Sequence, residues 1–237
     1  EFGAGHIPGA RFLDLPTLID PDNPVPSAVP TAAQFTERMQ ALGVNQGDRV
    51  VIYDDSAVKT SARAWFIARM HGTNDVAILD GGLGRWRAES RPLEIGVGET
   101  ARGDFTATRG RGTVRFKSDM LVNLGTRREQ VVDARGRARF SGEEADFRPN
   151  IASGHIPGSC NLPYNLLFQH DGTFCRPANL KRAFELAHID LDKPIVTTCG
   201  GGVTAAVLLF APHLLGKDNV ALYDGSWSEW GADPAAS

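Results

Sequence analysis

Several shortages in this sequence each remove a class of protein. It has 3 cysteines in 237 residues, too few and odd in number for the disulfide framework that staples small secreted domains. No apolar run approaches the ~20 residues of a membrane-spanning helix, so no membrane partner is expected. Basic residues are not in excess: 25 Lys and Arg against 28 Asp and Glu leave a net charge of −3, which offers no electrostatic footprint for nucleic acid. No group of His, Cys, Asp and Glu has metal-ligand spacing. The one glycine run lacks the Lys-Ser/Thr that completes a phosphate-binding loop. Neither a metal nor a cofactor is expected. No basic segment followed by an apolar one marks an export signal, although the chain opens at Glu1-Phe2-Gly3 without Met, which leaves an earlier leader open. What is present suits a globular chain, 42% hydrophobic and 22% charged. The expectation is a cytoplasmic α/β enzyme.

The chain repeats itself. Gly5-His6-Ile7-Pro8-Gly9 recurs as Gly154-His155-Ile156-Pro157-Gly158, an offset of 149. The segment from Val76 to Trp86 recurs from Val220 to Trp230, an offset of 144, and Val50-Val51-Ile52-Tyr53 answers Ile195-Val196-Thr197-Thr198 at 145. Three matches in one order with a slowly drifting offset mean a duplicated domain. Each half alternates short apolar runs with helical patterns, as from Ala178 to Ala187 and Thr204 to Leu215. That alternation predicts βαβ units and a mostly parallel sheet flanked by helices. The near-continuous apolar runs predict strands covered on both faces. The predicted organisation is a first domain over 1–95, a linker over 96–116 and a second domain over 117–237. The second repeat has the strand Val131-Val132-Asp133 about twenty residues ahead of its Gly-His-Ile-Pro-Gly, where the first has four residues. The first domain is therefore expected to lack its opening strand, as in a truncated chain.

Cys199 follows the strand Ile195 to Thr198 and precedes a helix, with Gly200-Gly201-Gly202-Val203-Thr204 between. Glycines permit a turn whose N–H groups point inward, and such a nest, with a helix N-terminus behind it, stabilises a thiolate. A free cysteine is more often a small buried hydrophobe, but that alternative does not explain the glycines. Cys160 and Cys175 have no such setting. A phosphatase loop needs an arginine six residues past the cysteine; that position is Ala205.

The paired Gly-His-Ile-Pro-Gly strings, the run Cys199 to Ala205 and the run Tyr223-Asp224-Gly225-Ser226-Trp227-Ser228-Glu229-Trp230 resemble the tandem-domain rhodanese superfamily. More narrowly, the chain resembles the 3-mercaptopyruvate sulfurtransferases. The resemblance covers nearly the whole chain and implies a rhodanese fold in each half, the second catalytic. It implies that Cys199 takes a sulfane sulfur from a small-molecule donor as a persulfide. The acceptor would be a thiol such as thioredoxin or glutathione, or cyanide. In the first repeat Asp54 stands where Cys199 does and the glycines are missing, so that half is expected to be non-catalytic and to supply one wall of an interdomain cleft.

A mercaptopyruvate donor carries a carboxylate, for which arginine offers a planar fork. The resemblance assigns Arg139 and Arg148 to it, with Gly200, Gly201, Gly202, Val203 and Thr204 cradling the reacting sulfur. Relatives preferring thiosulfate place cations directly after the cysteine; here Gly200 and Gly201 carry none. The chain departs from the family pattern at Gly201, usually serine, and at Pro16 and Ser27, aligned with an acidic residue and a histidine, so none of those positions offers the family's proton-moving side chain. Thiosulfate:cyanide transfer and a non-catalytic sulfur-relay or binding module remain as alternatives. His6 and His155, alike in both repeats, are expected to brace turns.

Overall fold

The computed structural model describes residues 2–233. They form two compact units, the first built from 2–21, Val29–Gly112 and His170–Thr173, the second from Asp22–Ala28, Thr113–Gln169 and 174–233.

In the first unit, α1 (Ala32–Ala41) is followed by β1 (Val50–Ile52), α2 (Ser61–Met70), β2 (Val76–Ile78) and α3 (Gly82–Ala88). Thr31 and Gln34 start α1 with a reciprocal cap: the Gln34 N–H donates to Thr31 Oγ1 at 3.3 Å and the Thr31 N–H to Gln34 Oε1 at 2.7 Å. Phe35 and Met39, four residues apart, turn into the core from that helix. β1 and β2 pair in parallel as a two-stranded sheet. Val51 of β1 is 52% exposed. This corrects the expectation of a strand covered on both faces. A cavity of about 970 Å³ lies along β1, lined by Val50, Val51, Tyr53, Phe12 and Met39 among others, all of the first unit.

The second unit runs β3 (Thr113–Arg115), α4 (Lys117–Thr126), β4 (Gln130–Asp133), α5 (Arg137–Ser141), β5 (Cys160–Asn161), α6 (Pro177–Leu186), β6 (Ile195–Thr198), α7 (Ala205–Leu214), β7 (Val220–Tyr223) and α8 (Ser226–Trp230). Its five strands are parallel in the order β3-β7-β6-β4-β5. Every residue of β6 and β7 is buried, as central strands of a sheet covered on both faces should be. One core gathers Met120, Val131, Ile156, Val196, Ala221, Tyr223, Trp227 and Trp230. Truncating either tryptophan there would cost roughly 3–5 kcal/mol.

One detail differs from the sequence reading. β3 lies inside the segment expected to be linker, paired to β7 through Val114 opposite Leu222. In α6, Leu180 and Phe184 are buried, but Leu186 is 69% exposed because its position points away from theirs.

The repeat extends to the elements: α1, β1, α2, β2 and α3 correspond in order to α6, β6, α7, β7 and α8. Even the histidine turns match. His6 stacks on Phe2 at 3.9 Å and 15°, His155 on Phe140 at 3.9 Å and 14°. Each Nδ1 lies at hydrogen-bond distance from its partner's carbonyl oxygen.

Candidate active site

Cys199 sits at the carboxyl end of β6, where open α/β sheets place their ligand sites, and is 2% exposed. Its sulfur accepts a hydrogen bond from the Gly202 N–H at 3.1 Å. Gly202 is the residue of the loop that takes the left-handed conformation, with φ +82°; Gly200 and Gly201 do not have positive φ. The glycine run therefore uses its special backbone freedom at its third position, the one whose N–H reaches the sulfur. Val203 and Thr204 lead into α7, their carbonyls accepting from Ala206 and Val207.

α8 braces the loop from behind. The Trp227 N–H donates to the Cys199 carbonyl and the Ser228 N–H to the Gly200 carbonyl, each at 2.9 Å. The Cys199 N–H donates to Ser226 Oγ at 3.2 Å, and that hydroxyl donates to the Tyr223 carbonyl at 2.9 Å. Ser226 is fully buried and has φ +49°, a conformation that costs a non-glycine residue about 1–2 kcal/mol. Its counterpart in the first repeat, Gly82, has φ +53°. The second repeat thus keeps a strained serine where the first has glycine, and its hydroxyl holds the Cys199 backbone. The sequence reading missed Ser226, since nothing in the sequence marks its φ.

Arg139 and Arg148 come together through a residue that was also missed. Asp146, its side chain 1% exposed, accepts from Arg139 Nη2 at 2.6 Å, from Arg148 Nε and Nη2 at 2.8 Å each, and from the Arg148 N–H at 3.0 Å. Burial pushes the Asp146 carboxyl up. The hydrogen bonds from the Arg148 side chain and backbone and from Arg139 outweigh it and hold the group well below the usual carboxylate range. Arg148 Nη1 then donates to the Gly200 carbonyl at 2.7 Å, so the fork lies beside the residue that follows the cysteine. Phe147, 80% exposed, has the two guanidinium carbons 4.9 and 5.2 Å from its ring centre.

The arrangement refines one inference from the sequence. The loop itself carries no cation, yet a Cβ at Gly200 would stand 3.2 Å from Arg148 Nη2, so a guanidinium borders it all the same. The neighbouring arginine, Arg135, is differently engaged. It is buried, pairs with Asp133 at 2.7 Å and has its guanidinium carbon 4.5 Å from the Trp227 ring centre. Gly201 offers no side chain, Pro16 lies in the 3-10 turn Leu15–Thr17, and Ser27 has φ +64°.

The other cysteines lack this setting. Cys160 is in β5, opposite Val132, and burial pushes the Cys175 thiol up, away from the reactive thiolate. In the first repeat the Asp54 carboxylate fills its own turn, accepting from the Ser56 N–H at 2.9 Å and the Ser61 N–H at 2.6 Å. The Leu83 N–H donates to the Asp54 carbonyl at 3.1 Å, as Trp227 does to Cys199. The same scaffold holds a carboxylate in one repeat and a thiol in the other. Among the described residues no group of three or more His, Cys, Asp and Glu could hold a metal ion, and no helix is long and apolar enough to cross a membrane.

A rhodanese-like domain model matches residues 1–89 and again 117–233. Over 232 residues the chain is 39% identical to the 3-mercaptopyruvate sulfurtransferase of Mus musculus, covering 97% of this chain and 78% of the mouse protein. It is 35% identical to the thiosulfate sulfurtransferase of Gallus gallus, covering 97% of this chain and 80% of that protein. The crystal structure of SseA from Escherichia coli, described as a 3-mercaptopyruvate sulfotransferase, superposes with a TM-score of 0.84 at 39% identity, covering 95% of this chain and 84% of SseA. With two matched domains over most of its length, this chain belongs to the rhodanese-like family.

Proposed function

We propose that the chain is a sulfurtransferase that moves a sulfane sulfur from 3-mercaptopyruvate through a Cys199 persulfide to an acceptor. The observation that carries the donor assignment is the 2.7 Å bond from Arg148 Nη1 to the Gly200 carbonyl. It holds an arginine fork beside the residue that follows Cys199, which supports a donor carboxylate binding next to the reacting sulfur.

The Cys199 thiolate attacks the donor sulfur. An S–S bond forms, the donor C–S bond breaks, and its electron pair leaves as the enolate of pyruvate. The proton carried by the donor thiol ends on that carbon, giving pyruvate and the enzyme persulfide anion. The Gly202 N–H, 3.1 Å from the Cys199 sulfur, stabilises negative charge on that sulfur. An acceptor thiolate or cyanide then attacks the outer sulfur and releases the Cys199 thiolate, a ping-pong cycle. The acceptor is a thiol such as thioredoxin or glutathione, or cyanide, and the setting is cytoplasmic. The catalytic domain is 117–237, with 1–95 non-catalytic and 96–116 between them. The self-capped Asp54 turn supports that division.

Thiosulfate is the second reading, favoured by the guanidinium that borders the loop. Initial rates with each donor and a thiol acceptor test the proposal. The expected result is pyruvate release from mercaptopyruvate with a higher kcat/KM than thiosulfate turnover, lost for both donors in Cys199→Ser. A preference for thiosulfate would reverse the donor assignment. No turnover of either would favour a binding module.

A further inference from the structure

We propose that Asp146 is the residue that sets donor specificity: its buried carboxylate, shared by Arg139 and Arg148, lowers the charge of the donor-binding arm to a single positive, matching a monoanionic keto acid and disfavouring a dianion. This rests on the assignment of the two arginines to the donor carboxylate and goes one step beyond it.

A loop without cations cannot by itself account for a preference against thiosulfate when Arg148 borders that loop. Two guanidinium groups with no counter-charge would form a doubly positive site, suited to a compact dianion. Asp146 removes one of those charges. Its side chain is 1% exposed, so solvent screens it little, and it touches both arginines at 2.6–2.8 Å. A surface carboxylate would do far less.

The geometry leaves the arm able to bind. A guanidinium has five N–H groups. Bonds from Nε, Nη2 and Nη1 of Arg148 use three of them, leaving two for a ligand. Arg139 Nε is buried and has no hydrogen-bond partner, a donor that a bound carboxylate would satisfy. Asp146 therefore holds Arg148 by the Nε–Nη2 edge and Arg139 by Nη2 alone, and subtracts charge. The carboxylate of mercaptopyruvate meets a single net positive charge, and a thiosulfate dianion meets too little.

The test is the ratio of kcat/KM for thiosulfate to that for mercaptopyruvate. In Asp146→Asn, which keeps the size of the side chain and removes its charge, the ratio is expected to rise by about tenfold or more. Asp146→Glu, which restores the charge, should return the ratio toward wild type. If Asp146 only orders the loop, Asp146→Asn weakens both donors together and the ratio stays fixed, which overturns the proposal. Phe147→Lys gives an independent route should Asp146→Asn fail to fold. It adds a cation to an exposed position beside both guanidinium groups and should move the ratio the same way. An unchanged ratio in Phe147→Lys at low salt also counts against the proposal. Wild-type turnover is measured first. Turnover of neither donor refutes the sulfurtransferase reading, whereas turnover with a fixed ratio across the variants refutes only the role of Asp146.

Discussion

An alanine series through the cysteine loop separates three roles that the sequence presents as one run of glycines. Gly201 has ordinary backbone geometry, and a Cβ there would lie 3.7 Å from Arg148 Nη1, a normal contact. Gly201→Ala should leave single-turnover sulfur loading close to wild type. At Gly200 the Cβ would stand 3.2 Å from Arg148 Nη2. The guanidinium must yield by a few tenths of an ångström, so Gly200→Ala should raise the mercaptopyruvate KM more than it lowers kcat. Gly202 is different in kind, because its φ of +82° orients the N–H that meets the Cys199 sulfur at 3.1 Å. Alanine there either keeps the conformation at a cost of about 1–2 kcal/mol in stability, or relaxes and withdraws the N–H. A hydrogen bond to a charged group is worth about 1.5–3 kcal/mol, so relaxation should slow persulfide formation roughly 10- to 150-fold. Pyruvate released in the first turnover measures the rate, and urea unfolding measures the stability. Wild-type loading and stability in Gly202→Ala, or equal damage from Gly201→Ala, would refute the nest as the source of reactivity.

Three further expectations follow from the geometry. Ser226→Ala keeps the strained φ but leaves the buried Cys199 N–H unpaired; about 1–3 kcal/mol of stability should be lost, read by urea unfolding, and a loss below a few tenths would show the hydroxyl to be incidental. Asp54→Ala should cost about 0.5–2 kcal/mol, as the loss of a cap does, while sulfur transfer continues; a folded variant that no longer turns over would give the first repeat a chemical role. His71 is buried, with Nε2 2.9 Å from the Pro30 carbonyl, and burial pushes its pKa below the usual value despite that hydrogen bond. The unfolded chain then binds the extra proton first, so stability should fall as pH drops below about 6.5. Melting temperatures of wild type and His71→Gln between neutral and mildly acidic pH should converge on acidification, and parallel curves would contradict the argument.

The duplication was legible because it is written in recurring strings, and strings survive reading without coordinates. Cys199 stood out as the candidate nucleophile for a related reason: three glycines between a buried strand and an apolar helix are hard to explain by packing. Which glycine takes the left-handed conformation was not legible, since φ is set by the path from β6 into α7 and leaves no trace in a Gly-Gly-Gly run. Asp146 and Ser226 escaped for two different physical reasons. Asp146 is two residues from Arg148 in a polar loop and reads as an ordinary solvated charge until the fold buries its carboxylate between two arginines. Ser226 sits in a motif whose tryptophans draw attention, and its strain is visible only beside Gly82 in the other repeat. β3 was absorbed into the expected linker because three residues among glycines carry no periodicity; pairing with β7 makes it a strand. β1 was expected to be covered because its composition matches that of β6, but burial of a strand's faces is decided by what packs on them, and Val51 is 52% exposed.

The central claim is that Cys199 carries the transferred sulfur. Mass spectrometry of peptides from the protein incubated with 3-mercaptopyruvate and no acceptor tests it directly. A gain of one sulfur atom is expected on the peptide containing Cys199, discharged by a thiol acceptor and absent in Cys199→Ser. A gain on Cys160 or Cys175 instead, or none on Cys199 while pyruvate is released, would contradict it.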